Sequence, residues 1–183
     1  MKRAVFPGSF DPITIGHLDI VNRGLRVFDE IIIGIGENTD KKYMFSSDKR
    51  AKFVETVFKK NSNVTVKTYS GLTVDFCKKN NSNFLIRGLR NPSDFEFEKS
   101  IALTNRKISD IETVFFLTSV ENSYISSSIV RELIRNKGDY QLFIPKGMAH
   151  GFLTMEDNTI FSYKCSDFYH KESEDSIVWN DST

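Results

Sequence analysis

The sequence predicts an α/β fold: an open parallel sheet of five strands with helices on both faces. Short apolar runs alternate along the chain with stretches of helical periodicity, the pattern of repeated strand–helix units. One run, Ile31-Ile32-Ile33-Gly34-Ile35, is apolar at consecutive positions, as a parallel strand covered on both faces is. Polar and mostly cationic residues gather at the ends of these runs, where such sheets bind ligands.

The opening stretch Val5-Phe6-Pro7-Gly8-Ser9-Phe10-Asp11-Pro12-Ile13-Thr14-Ile15-Gly16-His17-Leu18 reads as a strand, a Gly/Pro-punctuated loop and the start of a helix. Unpaired N–H groups and the positive end of the dipole make a helix start a place for phosphates. Gly8 and Gly16 let a ligand approach the backbone. Leu18, Val21, Leu25 and Phe28 recur at helical spacing. After the Ile31–Ile35 strand, the loop Asn38 to Tyr43 carries Lys41 and Lys42. Ser46 and Ser47 are candidate caps for a second helix with Phe53, Val54, Val57 and Phe58 on its apolar face. Asn61-Ser62-Asn63 ends it, Val64 to Tyr69 is a third strand, and a short helix around Val74, Phe76 and Cys77 stops at Asn80-Asn81. Phe84-Leu85-Ile86 is the fourth strand, with Arg87-Gly88-Leu89-Arg90 expected directly after it. Ser93 and Glu96 form a capping-box pattern for a helix that buries Phe95, Ile101 and Ala102. Thr113 to Leu117 is the fifth strand. It leads through Asn122-Ser123-Tyr124 and Ile125-Ser126-Ser127-Ser128 to a helix carrying Val130, Leu133 and Ile134, which Gly138 stops.

A chain of 183 residues with 39% hydrophobic and 27% charged residues suits one globular domain with a short appendage. A formal net charge of +1 provides no overall field for nucleic acid or anionic lipid, so basic groups must act locally. Cys77 and Cys165 fall in no metal or redox spacing, which fits a reduced, cytoplasmic protein. Pro7-Gly8 interrupts the first apolar run too early for a signal peptide, and no stretch reaches transmembrane length.

Ser9, His17, Lys41, Arg87, Arg90 and Ser126 to Ser128 are donors, mostly cationic, with no paired carboxylates and no cysteine nucleophile among them. Such a set suits phosphates, acting by position and electrostatics. No Walker-type loop, dinucleotide fingerprint or nucleophile elbow is present. Taken singly, Lys41-Lys42 reads as a solvated pair, Arg87 and Arg90 as partners of Asp94 or Glu98, and the serines as a helix cap. Their coincidence at strand ends favours one shared site.

In order along the chain stand Gly8-Ser9-Phe10-Asp11-Pro12-Ile13-Thr14-x-Gly16-His17, Lys41-Lys42-x-Met44-Phe45, Leu85-Ile86-Arg87-Gly88-Leu89-Arg90, Asp94-Phe95-Glu96-x-Glu98 and Ile125-Ser126-Ser127-Ser128-x-x-Arg131. Together they resemble bacterial phosphopantetheine adenylyltransferases, Rossmann-like members of the nucleotidyltransferase superfamily, from about Lys2 to Gly147. The resemblance implies transfer of AMP from ATP to 4'-phosphopantetheine, giving dephospho-coenzyme A and pyrophosphate. It implies His17, Lys41 and Arg90 as catalytic residues, with His17 stabilising charge at the α-phosphate. Ser9, Phe10, His17, Gly88, Leu89, Arg90, Glu98, Asn122, Ser123, Tyr124, Ile125, Ser126, Ser127 and Ser128 would bind ATP. Ser9, Lys41, Thr73 and Arg87 would bind the acceptor. Mg²⁺ is expected through phosphate and water, without a protein metal site. Ser9 stands where Thr is common, and Thr73 where an apolar residue often lines the pantetheine arm. The resemblance also implies a homo-oligomer, a hexamer, with no nucleic-acid or membrane partner. Two other readings remain at this point: a nucleotidyltransferase with a different phosphate acceptor, and a non-catalytic nucleotide-binding or assembly protein.

The expected adenylyltransferase domain is 1–147. From Met148 to Thr183 the chain carries seven acidic residues against two lysines, the only Trp, and short strand-like runs. Phe143-Ile144-Pro145-x-Gly147-x-Ala149-His150-Gly151-Phe152, Tyr163-Lys164 and Trp179-Asn180-Asp181 resemble a late fragment of dTDP-4-dehydrorhamnose 3,5-epimerase, a cupin-type jelly roll. The fragment lacks that family's earlier catalytic segments, so residues 148–183 are expected to be a β-rich or irregular appendage and not an independent domain.

Overall fold

The computed structural model describes residues 1–38, 41–90, 92–119 and 125–135, and of Ser93 the backbone only. The chain divides into two units, Met1–Tyr140 and Gln141–Thr183. The second unit, the expected stop at Gly138 and the appendage 148–183 lie outside the described residues.

Strands β1 (Arg3–Gly8), β2 (Glu30–Glu37), β3 (Val64–Ser70), β4 (Phe84–Leu89) and β5 (Glu112–Leu117) alternate with helices α1 (Ile15–Gly24), α2 (Ser47–Phe58), α3 (Thr73–Lys79), α4 (Pro92–Ser109) and α5 (Ser127–Arg135). They form one sheet in the order β3-β2-β1-β4-β5, with every pairing parallel. The chain builds outward from β1 to β3, then returns to the other side of β1 to place β4 and β5. The order therefore reverses between β1 and β4, which puts the crevice for a ligand beyond their carboxyl ends.

Period-two alternation sends neighbouring side chains of the central strands to opposite faces. Ala4, Phe6, Ile31, Ile33 and Ile35 join Ile20 and Val21 of α1 and Val54 and Phe58 of α2 in one core. Val5, Ile32 and Leu85 join Val74, Phe76 and Cys77 of α3 in the other. Both faces of the sheet are thereby covered, as consecutive apolar residues in a parallel strand require.

Four local expectations are corrected. Helix α1 stops at Gly24, so Leu25 is its C-cap and Phe28 reaches the core from beyond the helix. Strand β4 continues through Arg87, Gly88 and Leu89, because these three pair with Phe115, Phe116 and Leu117 of β5. Ser46 alone caps α2, accepting the Lys49 N–H, whereas Ser47 is helical and Val57 is exposed. Ser93 lies inside α4, one residue past its start, and Phe95 and Ile101 are exposed. Among the described residues β5 is the edge strand, and none of their strands extends the sheet beneath the far side of α4. Phe97, Leu103 and Ile108 are left exposed with them.

Candidate active site

A cleft of about 370 Å³ opens at the carboxyl ends of β1 and β4. Its floor is Phe6 to Phe10 and Arg87-Gly88, and its walls carry the N-terminal residues of two helices, Thr14, Gly16 and His17 of α1 and Ser126, Ser127 and Ser128 of α5. Gly88 lets α1 pack closely on β4, since a Cβ there would force Cδ1 of Ile20 to shift. Both helix starts thus bring positive dipole ends to one cleft.

His17 sits in the first turn of α1 and reaches back to the N-cap. The Thr14 backbone N–H donates to its Nδ1 at 3.0 Å, and the Thr14 hydroxyl lies 2.9 Å from the same atom. In the familiar capping box a Glu or Gln holds this place; here an imidazole does. Because Nδ1 accepts an N–H, the ring proton resides on Nε2, which is left as a donor toward the cleft that the side chain lines. Phe10 packs edge-on against the imidazole at 5.0 Å between centroids and is itself buried. Burial, and after it the charge of Arg90, lower the His17 pKa from 6.5 to about 4. The imidazole is therefore neutral at physiological pH.

The arginines stand in different states. The Arg87 guanidinium grips the Glu98 carboxylate through Nε, at 2.8 Å, and Nη2, and donates from Nη1 to the Pro7 carbonyl at 3.0 Å. Arg90 pairs with Asp94 at 3.2 Å and is more open to solvent. Both ion pairs considered from the sequence are thus present, and both arginines still line the cleft. Arg131 donates to the Asp11 carbonyl at 2.6 Å and to the Ser128 hydroxyl at 3.0 Å, with no carboxylate partner among the described residues. The serines divide their work: Ser126 Oγ accepts the Ile129 N–H, as a cap does, while Ser127 Oγ donates to the Pro12 carbonyl.

Of the residues expected from sequence, Ser9, Phe10, His17, Arg87, Gly88, Arg90, Glu98, Ile125, Ser126, Ser127 and Ser128 line this cleft. Phe10 does so with a buried ring that braces His17, and Glu98 with a carboxylate held by Arg87. Leu89 is buried in β4 and is not among the lining residues. Lys41 lies past the end of β2, exposed, its N–H donating to the Asn38 carbonyl, and Thr73 opens α3 with its hydroxyl 2.9 Å from that of Tyr69; neither lines the cleft. Asn122, Ser123 and Tyr124 lie outside the described residues. Thr14, Thr118 and Arg131 line the cleft without having been assigned a role from sequence. The spacing Ser128-x-x-Arg131 places that arginine one helical turn from the serine and was the available signal.

The donor chemistry bears on a metal as well. Among the described residues no group of three or more His, Cys, Asp or Glu could hold an ion, and the cleft carboxylates Asp94 and Glu98 are paired with arginines. What the cleft presents is N–H donors and guanidinium groups, suited to a polyphosphate. No helix among the described residues is long and apolar enough to cross a membrane.

Residues 5–133 match the cytidylyltransferase-like family. The phosphopantetheine adenylyltransferase of Flavobacterium johnsoniae is 59% identical over 145 residues, covering 79% of this chain and 95% of the relative. That of Flavobacterium psychrophilum is 57% identical over 148 residues, covering 81% of this chain and 98% of the relative. Among solved structures, a bifunctional NMN adenylyltransferase/ADP ribose pyrophosphatase from Francisella tularensis superposes with a TM-score of 0.59 at 15% identity, over 74% of this chain and 42% of the other. That likeness speaks for the fold alone. With the family match spanning both sides of the cleft, and relatives covered almost end to end, this chain belongs to the cytidylyltransferase-like family and, within it, to the phosphopantetheine adenylyltransferases.

Proposed function

We propose that this protein transfers the adenylyl group of ATP to 4'-phosphopantetheine, forming dephospho-coenzyme A and releasing pyrophosphate. The observation that carries the chemistry is a cleft of donors built around a neutral His17, its Nδ1 occupied by Thr14 and its Nε2–H free to donate. An oxygen of the acceptor phosphate attacks the α-phosphorus, and the bond from that phosphorus to the bridging oxygen of the pyrophosphate breaks. The nucleophile arrives already ionised, so no general base and no covalent enzyme intermediate is required. His17 donates from Nε2 to an α-phosphate oxygen as charge builds there. The N-termini of α1 and α5 and the guanidinium of Arg90 hold the phosphate chain, and the segment Asn122 to Ser128 completes the nucleotide site. Lys41, with Arg87, holds the acceptor phosphate, and Thr73 lies along the acceptor's arm. Mg²⁺ bound through phosphate and water would neutralise charge on the departing pyrophosphate.

The reading places the enzyme in the cytoplasm as a homo-oligomer, a hexamer by family, without nucleic-acid or membrane partners. The exposed apolar residues on α4 support self-association. The acidic segment 148–183, with its resemblance to an epimerase fragment, takes no part in the chemistry.

The test is pyrophosphate release with each substrate omitted in turn. Release dependent on 4'-phosphopantetheine is expected, and release with another phosphate acceptor alone, or none with any, refutes the proposal. In the same assay His17→Ala should lose about 3–4 kcal/mol of transition-state stabilisation, the usual loss for one preorganised donor, with ATP binding largely kept. Lys41→Ala should raise chiefly the KM for the acceptor and Arg90→Ala that for ATP. Equal losses for both substrates in both variants contradict these roles.

A further inference from the structure

The side chains that set the two halves of the site at a fixed spacing do not line the cleft. Arg50 of α2 is 1% exposed and meets no carboxylate among the described residues. Its Nη1 donates to the Ser9 carbonyl at 2.6 Å and to the Gly36 carbonyl at 3.2 Å, and its Nε to the Phe45 carbonyl at 3.2 Å. The guanidinium also lies over the Tyr43 ring, 4.1 Å from its centroid. One buried cation thus binds the loop after β1, the end of β2 and the segment entering α2. Asp11, 2% exposed, holds the same segment: its two carboxylate oxygens accept the Met44 and Phe45 N–H groups at 2.8 and 2.9 Å. The Tyr43 hydroxyl closes the frame, accepting the Asn38 N–H at 3.1 Å and reaching the Gly36 carbonyl. The segment that carries Lys41 is therefore fixed at Asn38 before it and at Met44–Phe45 after it.

We propose that Arg50 and Asp11 are a positioning pair that fixes the Lys41 segment against the Ser9–His17 loop, so that the acceptor phosphate meets the α-phosphate in line. This rests on the reading that Lys41 holds the acceptor phosphate. An apolar plug would fill the same volume without setting any spacing. A planar fork on three carbonyls from three segments sets all three, and a carboxylate on two successive N–H groups fixes the orientation of the segment entering α2. Both groups are buried and neither lines the cleft, so each acts through what it holds.

The experiment is steady-state kinetics on Arg50→Lys and Asp11→Asn, alone and with Lys41→Ala. Lysine cannot reproduce the fork, and asparagine turns an N–H₂ toward one of the two backbone donors. Each single variant should raise the KM for 4'-phosphopantetheine or lower kcat by about tenfold or more, as a reacting group displaced by a fraction of an ångström does, while the KM for ATP stays within about twofold. On the Lys41→Ala background the same substitutions should add less than about twofold, since they act through that residue. If Lys41→Ala raises the acceptor KM but Arg50→Lys and Asp11→Asn change neither that KM nor kcat, or if their losses add in full to it, the proposal is overturned and the Lys41 reading stands. An unchanged acceptor KM in Lys41→Ala overturns both. Should the buried variants not fold, Tyr43→Phe removes only the hydroxyl that joins Asn38 to Gly36. It should give a smaller rise with the same selectivity for the acceptor; equal effects on both substrates overturn the proposal.

Discussion

Acidification tests the state of His17 directly. In an unfolded chain its pKa is near 6.5; in the fold, burial and Arg90 lower it to about 4. Between those values the unfolded state binds the proton more readily than the native state, so stability falls as the pH falls. The stability in question is fully present above pH 6.5 and is lost progressively down to pH 4. At about 1.4 kcal/mol per unit, the loss approaches about 3 kcal/mol below pH 4, and about 2 kcal/mol is already gone at pH 5. The reference is His17→Gln, because glutamine at the third helical position keeps an acceptor for the Thr14 N–H and does not titrate. Urea unfolding of both proteins at pH 7, 6 and 5 isolates the histidine, since every other titrating group is common to the pair. The expected result is a difference in unfolding free energy that moves against wild type by about 2 kcal/mol from pH 7 to pH 5. A difference that stays constant over that range refutes the neutral, half-buried imidazole and the donor role drawn from it.

Two further outcomes follow from the packing. Gly88→Ala should cost about 1–3 kcal/mol by overpacking against Ile20, and Ile20→Val, which deletes the atom in the way, should suppress most of that cost; additive losses in the double variant by urea unfolding would contradict the contact. Cys77 is fully buried and its thiol is pushed up to about 12 by burial, so native protein at pH 8 should leave it unmodified by iodoacetamide while urea-unfolded protein does not. Rapid native alkylation of the peptide carrying Cys77 would show that α3 does not hold it against the sheet.

The sheet and its helices were legible because their signals are local. Ile31 to Ile35 states its burial on both faces within five residues, and the Thr14-to-His17 helix start lies in one short stretch. What failed to show depends on distant pairing. Nothing near Arg87 says that it belongs to β4; its strand residues are fixed by Phe115 to Leu117, almost thirty residues on. Periodicity in α4 marks Phe95 and Ile101 as one apolar face, but it does not say that the sheet ends at β5 beneath them. Arg50 did leave a trace. It stands four and eight residues before Val54 and Phe58, on the buried stripe of α2, and a charge on such a stripe asks for buried partners. The partners are carbonyls of Ser9, Gly36 and Phe45, which have no sequence signature.

The state of His17 in the working complex follows from the same two causes that set it in the free protein. Burial is unchanged or increased when a nucleotide fills the cleft, and it continues to favour the neutral ring. The second cause, the charge of Arg90, is offset once phosphates lie beside it, and the phosphates themselves favour a proton on the ring. Opposite charges close to a titrating group commonly move its pKa by about 1–3 units. Starting from about 4, a rise of two units leaves the imidazole mostly neutral at neutral pH. The Thr14 N–H on Nδ1 works in the same direction, since it can donate only to an unprotonated nitrogen. A protonated ring would have to break that bond and loosen the first turn of α1, the turn that carries the phosphate-facing N–H groups. The geometry at Nδ1 therefore opposes the imidazolium that an anion near Nε2 would favour, and on the proposed reading His17 would act as a fixed, uncharged donor whose position is set before the charge develops.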